Sequence, residues 1–368
     1  MSTDIVELTQ QLVAIRSDYP NEHAIGEFLA SQLQAMGFDV KRQYQPGTTD
    51  RFNILATRGN GDHSVLFYGH QDTVPLQNEA LWESHPLSGS VEGDKLFGLG
   101  SYDMKGGIAA FLHALEDTSA YTKIFLPFDE EYISEGAWLA IQEAPEFFTD
   151  VSFIISPEPN FGLGLNNVML SRPGRSVYEM KIHADVSHVA EYFKTSDAVV
   201  RLGQFITSFH DVFQNQEQPF FHSLNSLAMI RKVSSESVGI TAPSEATIQI
   251  ELYLDASDHE SDFLHKLNTI ADSSLVLIPR KTPYLQAYSF EKFPYQDQIG
   301  EIVQTYTHQT MTHLTRSAVG DDNALATLGK PILSWGPEGE NAHAVNEYVL
   351  ISSLETLSTM FHEVLNIL

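Results

Sequence analysis

Val65-Leu66-Phe67-Tyr68-Gly69-His70-Gln71-Asp72-Thr73-Val74-Pro75 is the stretch whose reading decides the fold. Four bulky apolar residues that end abruptly at a glycine read as a buried strand. His70 then stands just past the carboxyl end of a sheet strand, which is where open α/β sheets bind ligands. A His two residues before an Asp has a direct chemical reading. The imidazole binds a metal and the carboxylate holds the ring's other N–H. A single His of this kind is more often a satisfied polar residue, so the reading depends on what the rest of the chain adds.

Composition narrows the field. The chain has 368 residues, more than one core usually serves, which predicts two domains. Its net charge of −27 disfavours nucleic acid and anionic membrane surfaces as partners. It contains no Cys, so metal binding must rely on His and carboxylates, and thiol nucleophiles are excluded. Met1-Ser2-Thr3-Asp4-Ile5-Val6-Glu7 lacks a basic segment followed by an apolar core, and no apolar run is long enough to span a bilayer. The expected compartment is the cytoplasm.

Working outward, Ile5, Leu8, Leu12 and Ile15 recur at helical spacing, as do Ile25, Phe28, Leu29 and Leu33. Phe38-Asp39-Val40 and Phe52 to Ala56 read as strands. Gly98 to Gly107 is turn-rich and leads into a helix with Ile108, Phe111, Leu112 and Leu115 on its apolar face. Asp103 lies at that helix's mouth and by itself reads as an N-terminal cap. Thr122 to Phe128 is a strand ending in Asp129-Glu130-Glu131, and Val151 to Ile155 is another, ending in Ser156-Pro157-Glu158-Pro159.

After residue 170 the pattern changes. Strands at Val177 to Ile182, Ser226 to Val233, Ile248 to Leu254 and Leu275 to Pro279 alternate with two helices. The first helix is marked by Ala198, Val199, Leu202, Phe205 and Ile206, the second by Phe263, Leu264, Leu267 and Ile270. The order βαββαβ is the split pattern of a small antiparallel sheet with two helices. It predicts a domain at 171–284 inserted into one formed by 1–170 and 285–368. The outer domain resumes with Ile299, Ile302 and Val303 on a helix, a strand from Lys330 to Gly336, the stretch Gly336 to His343, and a final helix carrying Leu350, Leu354, Leu357, Phe361, Val364 and Leu368.

The polar groups at strand and loop ends are His70, Asp103, Glu130, Glu131, Glu158 and His343. Two His and three carboxylates suffice for two zinc-like ions with one carboxylate bridging, and sulfur-free ligation with a position open to water is the catalytic form of such a site. A metal pair can lower the pKa of a water and polarise a carbonyl oxygen. One acid kept off the metals can take the water's proton and pass it to a leaving nitrogen. Adjacent Glu130 and Glu131 suit that division, and the chemistry is hydrolysis of an amide or peptide bond.

These stretches resemble the M20-type di-zinc amidohydrolases and peptidases grouped around acetylornithine deacetylase, succinyl-diaminopimelate desuccinylase and glutamate carboxypeptidase. The matching segments are Gly69 to Pro75, Gly98 to Gly107, Asp129-Glu130-Glu131, Pro157-Glu158-Pro159 and Gly336 to Glu347, in the family's order across nearly the whole chain. The resemblance implies an α/β fold: a zinc-peptidase-like catalytic domain with a mixed, mainly parallel sheet flanked by helices, and an inserted α+β ferredoxin-like lid that forms a homodimer. It implies His70, Asp103 and Glu158 on one metal, and Asp103, Glu131 and His343 on the other. Asp103 bridges, Glu130 is the general acid/base and Asp72 orients His70. The metals are zinc, with cobalt the other candidate.

Arg172-Pro173-Gly174 and Ser187-His188-Val189-Ala190 resemble the family's lid segment. There the residue matching His188 donates to the developing oxyanion in a partner's site, a role worth several kcal/mol. Arg172 is the candidate for a substrate carboxylate. The implied substrate is an N-acyl amino acid, with acetylornithine the best single choice, or a short peptide. A non-catalytic binding paralogue is the reading from another class. Two departures fall on substrate recognition: Ile240 takes the place of an expected Asn, and the strand ending at Tyr253-Leu254 lacks a frequent Arg.

Overall fold

In this computed structural model, residues 4–116, 118–194, 196–213, 226–271, 275–315 and 318–368 are described. The first three residues of the N-terminal stretch examined for a leader lie outside them. Two compact units emerge. One comprises Met1–Leu170, Phe290–Leu314 and Gly320–Leu368; the other comprises Ser171–Ser289 and Thr315–Val319.

The first unit is built on a mixed sheet. Across it run the strands Asp39–Tyr44, Phe52–Arg58, Thr122–Leu126, Ser64–Tyr68, Val151–Ser156, Ile332–Ser334 and Asn167–Arg172. The four from Thr122–Leu126 to Ile332–Ser334 are mutually parallel. The pairings outside them are antiparallel, so the parallel strands form the central block of the mixed sheet. Parallel neighbours need a covering crossover. Here Gly106–Ala114 lies between Ser64–Tyr68 and Thr122–Leu126 in sequence, and Glu135–Glu143 lies between Thr122–Leu126 and Val151–Ser156.

Ser64–Tyr68 and Thr122–Leu126 are buried along their whole lengths, as expected of strands covered on both faces. The helix Gly106–Ala114 is nearly all buried, between Ile5–Ala14 and Ile351–Asn366. Phe67 stands 5.3 Å from Phe111 and 5.4 Å from Phe361, ring to ring. Each such side chain contributes about 1.5–3 kcal/mol by leaving water. The N-terminal helix is capped by Asp4, whose carboxylate accepts the Val6 and Glu7 N–H groups.

The sheet's hydrogen bonding continues past the strand ends. Gly69 N–H donates to the Phe125 carbonyl at 3.1 Å and Gln71 N–H to the Pro127 carbonyl at 3.0 Å. Buried Gln71 also donates from Nε2 to the carbonyls of Phe52 and Leu126. The stretch carrying His70 is therefore held as firmly as the strand before it. A second, small sheet of the strands Gly339–Glu340, Tyr348–Leu350, Lys95–Phe97 and Ser90–Glu92 has no counterpart in the sequence reading.

The second unit has the expected βαββαβ order. Its strands lie Leu227–Ser235, Glu245–Leu254, Gly174–His183, Leu275–Leu277 across an antiparallel sheet. Ala246, Ile248, Ile250, Leu252 and Leu254 are buried with Leu202, Phe205, Phe209 and Leu267 from the helices Ala198–Phe213 and Glu260–Ile270. Val199 and Ile206, read from sequence as part of the apolar face, are exposed. They are one stripe of the helix, and the buried stripe is Ala198, Leu202, Phe205 and Phe209. Among the described residues no helix is long and apolar enough to cross a membrane.

Candidate metal centre

His70 is 1 % exposed and both ring nitrogens face oxygen. Nδ1 lies 2.9 Å from the main-chain carbonyl of Asp72, and Nε2 lies 3.2 Å from Asp103 Oδ1. A carbonyl only accepts, so Nδ1 carries a proton, and Nε2 faces a carboxylate oxygen that likewise only accepts. That arrangement calls for a positive charge between the two. The same need appears in the titration. Burial alone would lower the His70 pKa, but the contact with Asp103 and the charges of Glu130 and Asp72 raise it well above the ordinary value.

Asp72 meets His70 in two ways: its carboxylate stands 3.6 Å from Nδ1, within ion-pair reach, and the ring's hydrogen bond goes to its main-chain carbonyl at 2.9 Å. The carboxylate accepts two successive amides, Glu130 N–H on Oδ1 and Glu131 N–H on Oδ2, both at 3.1 Å. The sequence showed the spacing of His70 and Asp72, but not which part of Asp72 would face the ring.

Asp103 does not cap the helix after it; the N-cap position of Gly106–Ala114 is Lys105. Its two oxygens face two imidazoles: Oδ1 faces His70 and Oδ2 lies 3.2 Å from His343 Nε2. Burial pushes the Asp103 carboxyl up, but the contacts with His343 and His70 overcome this and hold it below the usual range. His343 Nε2 also lies 3.1 Å from Glu131 Oε1. Burial would lower the His343 pKa, yet these carboxylates raise it to about 11. His343 adopts a left-handed backbone conformation, φ 62°, in an irregular loop, and its side chain is half exposed.

One nitrogen of His70 and one oxygen each of Asp103 and Glu131 lie within 4.8 Å of one another. With His343 facing both carboxylates, the donors are nitrogen and oxygen only, which suits zinc-like ions. The residues present therefore fit such an ion. The tight trio pairs His70 with Asp103 and Glu131, where the resemblance pairs it with Asp103 and Glu158. Glu158 is buried, and its charge helps raise the Glu130 carboxyl. Burial is the main cause of that rise, which carries Glu130 well above the ordinary carboxylate range; His70 opposes it.

Close backbone approach explains two glycines around Glu158. A Cβ on Gly336 would overlap the Glu158 carbonyl, and one on Gly107 would overlap the Pro157 carbonyl. The strand end carrying Glu158 thus runs between the start of the helix after Asp103 and the end of the Ile332–Ser334 strand.

Several buried polar residues escaped the sequence reading. Glu347 accepts three amides of the Asp103 segment. Arg51 is buried, paired with Glu22 and, at 2.9 Å, with Asp129. At the turn 320–323, Gly320 N–H donates to Asn323 Oδ1 at 3.0 Å. Asp321 and Asp322 in the same turn are fully buried. Burial pushes Asp321 well above its ordinary pKa against a hydrogen bond from Ser134. The only sequence signal for such residues was charge close to apolar runs, which surface turns share.

His188 and Arg172 belong to the second unit. His188 is exposed; its Nδ1 accepts the Ala190 N–H at 3.1 Å, which places the ring proton on Nε2. Arg172 is buried in the last position of Asn167–Arg172, paired in register with Tyr288.

The model of peptidase family M20/M25/M40 matches residues 66–367. The chain belongs to that family. It is therefore a metal-dependent hydrolase of the peptidase and amidohydrolase kind. Solved structures share the fold at low identity. An M20-family metallo-carboxypeptidase from Sulfolobus solfataricus superposes with a TM-score of 0.77 at 14% identity, covering 100% of both chains. A tripeptidase from Staphylococcus aureus gives 0.76 at 16%, covering 100% of this chain and 98% of that one. A dinuclear metal-binding M20 peptidase from Bacillus subtilis gives 0.71 at 13%, covering 99% and 97%.

Proposed function

We propose that this chain hydrolyses the amide bond of an N-acyl amino acid, using two divalent cations held by His70, Asp103, Glu131, Glu158 and His343. The observation that carries the reading is the Asp103 carboxylate, with one oxygen facing each of two imidazoles. Cations held there supply Lewis acidity, polarising a carbonyl and lowering the pKa of a water. Asp103 is the shared ligand. Glu130 is the proton carrier: burial raises its carboxyl above the ordinary range, which favours taking a proton from the water and returning it to the leaving nitrogen. Asp72 holds Glu130 and Glu131 by their amides, so one carboxylate sets the spacing of base and ligand. His188, with its proton on Nε2, is the donor for the developing oxyanion, reaching the site across a homodimer of the second unit. Arg172 is assigned to the substrate carboxylate.

Acetylornithine is the first substrate to test. Short peptides are the second reading, favoured because the tripeptidase and the metallo-carboxypeptidase share this fold. Initial rates on acetylornithine, succinyl-diaminopimelate, acetyl-lysine and a dipeptide panel separate the two. Glu130→Gln is expected to retain wild-type metal content, by metal analysis, while turnover falls roughly 10²–10⁴-fold. Full activity in that variant removes Glu130 from the role.

A further inference from the structure

Glu347 follows His343 by four residues and leads into the strand Tyr348–Leu350. It is buried, and three main-chain donors converge on its carboxylate. Gly100 N–H reaches Oε2 at 2.8 Å, while Tyr102 N–H and Asp103 N–H reach Oε1 at 2.9 Å each. Its own carbonyl accepts Gly98 N–H at 2.9 Å. One residue therefore satisfies four backbone donors of segment 98–103.

That segment lacks the repeating ladder that would otherwise fix it. Gly100 has φ +77°, a left-handed conformation, and Asp103 lies at φ −118°, ψ 94°, well outside helical values. The neighbouring register is fixed by the small sheet, where Tyr348 pairs with Phe97. Glu347 sits at the junction of that sheet with the His343 loop. It joins the chain carrying one imidazole to the chain carrying the carboxylate that the imidazole faces.

We propose that Glu347 is the positioning residue of the metal centre: by gripping the amides of Gly100, Tyr102 and Asp103 it holds the Asp103 carboxylate between His70 and His343. This rests on the two-metal reading of the site. An ionised carboxylate only accepts, and both of its oxygens are used here. A glutamine of the same shape replaces one oxygen with an NH₂ donor, which must then face a main-chain N–H. Either Gly100 or the Tyr102–Asp103 pair loses its acceptor, and Asp103 loses its fixed bearing. Groups that orient ligands in this way typically cost metal affinity when altered.

The test uses the full chain with Glu347→Gln and Glu347→Asp. Zinc affinity is read by equilibrium dialysis with metal analysis, kcat and KM on the best panel substrate, and amide exchange of the 98–106 peptide in metal-free protein. For Glu347→Gln, zinc binding should weaken by roughly 10–100-fold. kcat should fall with KM little changed, and the 98–106 amides should exchange faster while those of 151–158 do not. Glu347→Asp keeps two accepting oxygens and should fall between Gln and wild type. If Gln prevents folding, the Asp variant decides alone: wild-type zinc affinity, kcat and exchange in it overturn the assignment. A folded Gln variant with a lower melting temperature but wild-type zinc affinity and kcat shows a merely structural role and also overturns it. Wild-type chain that binds no divalent metal sinks the metal-centre reading instead, which distinguishes that failure from this one.

Discussion

His70 in the first unit and His188 in the second are given opposite settings. His70 is buried, follows a fully buried strand, and has both nitrogens engaged. His188 is exposed in a loop, where an isolated bridge to Thr241 and the Ala190 amide locate it. The difference matches the task proposed for each. A metal ligand must be fixed within tenths of an ångström before substrate arrives, and only interlocked backbone gives that precision. An oxyanion donor is needed only once substrate is bound, so an exposed loop can carry it. The buried setting also concentrates carboxylates that repel one another, which the exposed loop does not.

The sharpest way to break this contrast is His188→Ala. Turnover should fall roughly 10²–10³-fold, the range for losing one oxyanion donor, with metal content unchanged. Mixed dimers of that variant with a metal-site variant should recover partial activity; no recovery counts against action across the interface. Asp72→Asn should have a smaller effect. Its amide can accept from only one of the Glu130 and Glu131 N–H groups, so zinc affinity or turnover should drop roughly 10–100-fold. Equal loss of Glu131 ligation and of Glu130 function would show that the two amide contacts act as one. The smallest effect is on stability. Zinc at about 100 times its Kd should stabilise the folded chain by about 2.7 kcal/mol, read as a rise in melting temperature. Exchange should slow around Asp103 and stay constant at 184–191; slowing at both would erase the distinction between the two settings.

Much of the site was legible because its residues lie beside strong patterns. His70, Glu130, Glu131 and Glu158 each end an apolar run, and position past a strand end is itself the functional signal. His343 and Asp103 were found through their turn-rich surroundings. Glu347 closes a matching segment without a role assigned to it, and the small sheet is not legible, since strands of two or three residues carry no periodicity. The spacing of His70 and Asp72 is legible, but not that the ring's hydrogen bond goes to the Asp72 carbonyl while the carboxylate takes the Glu130 and Glu131 amides.

The sequence alone determined the types of group available, the strand ends that present them and the βαββαβ order of the second unit. Those follow from local apolar spacing and from the absence of cysteine. Only the tertiary structure decided which oxygen meets which nitrogen. Asp103 meets His343 across 240 residues of chain, and Glu347 reaches back as far to the amides beside it. Such contacts depend on the summed geometry of the sheet and its crossovers, and no window of sequence contains that sum.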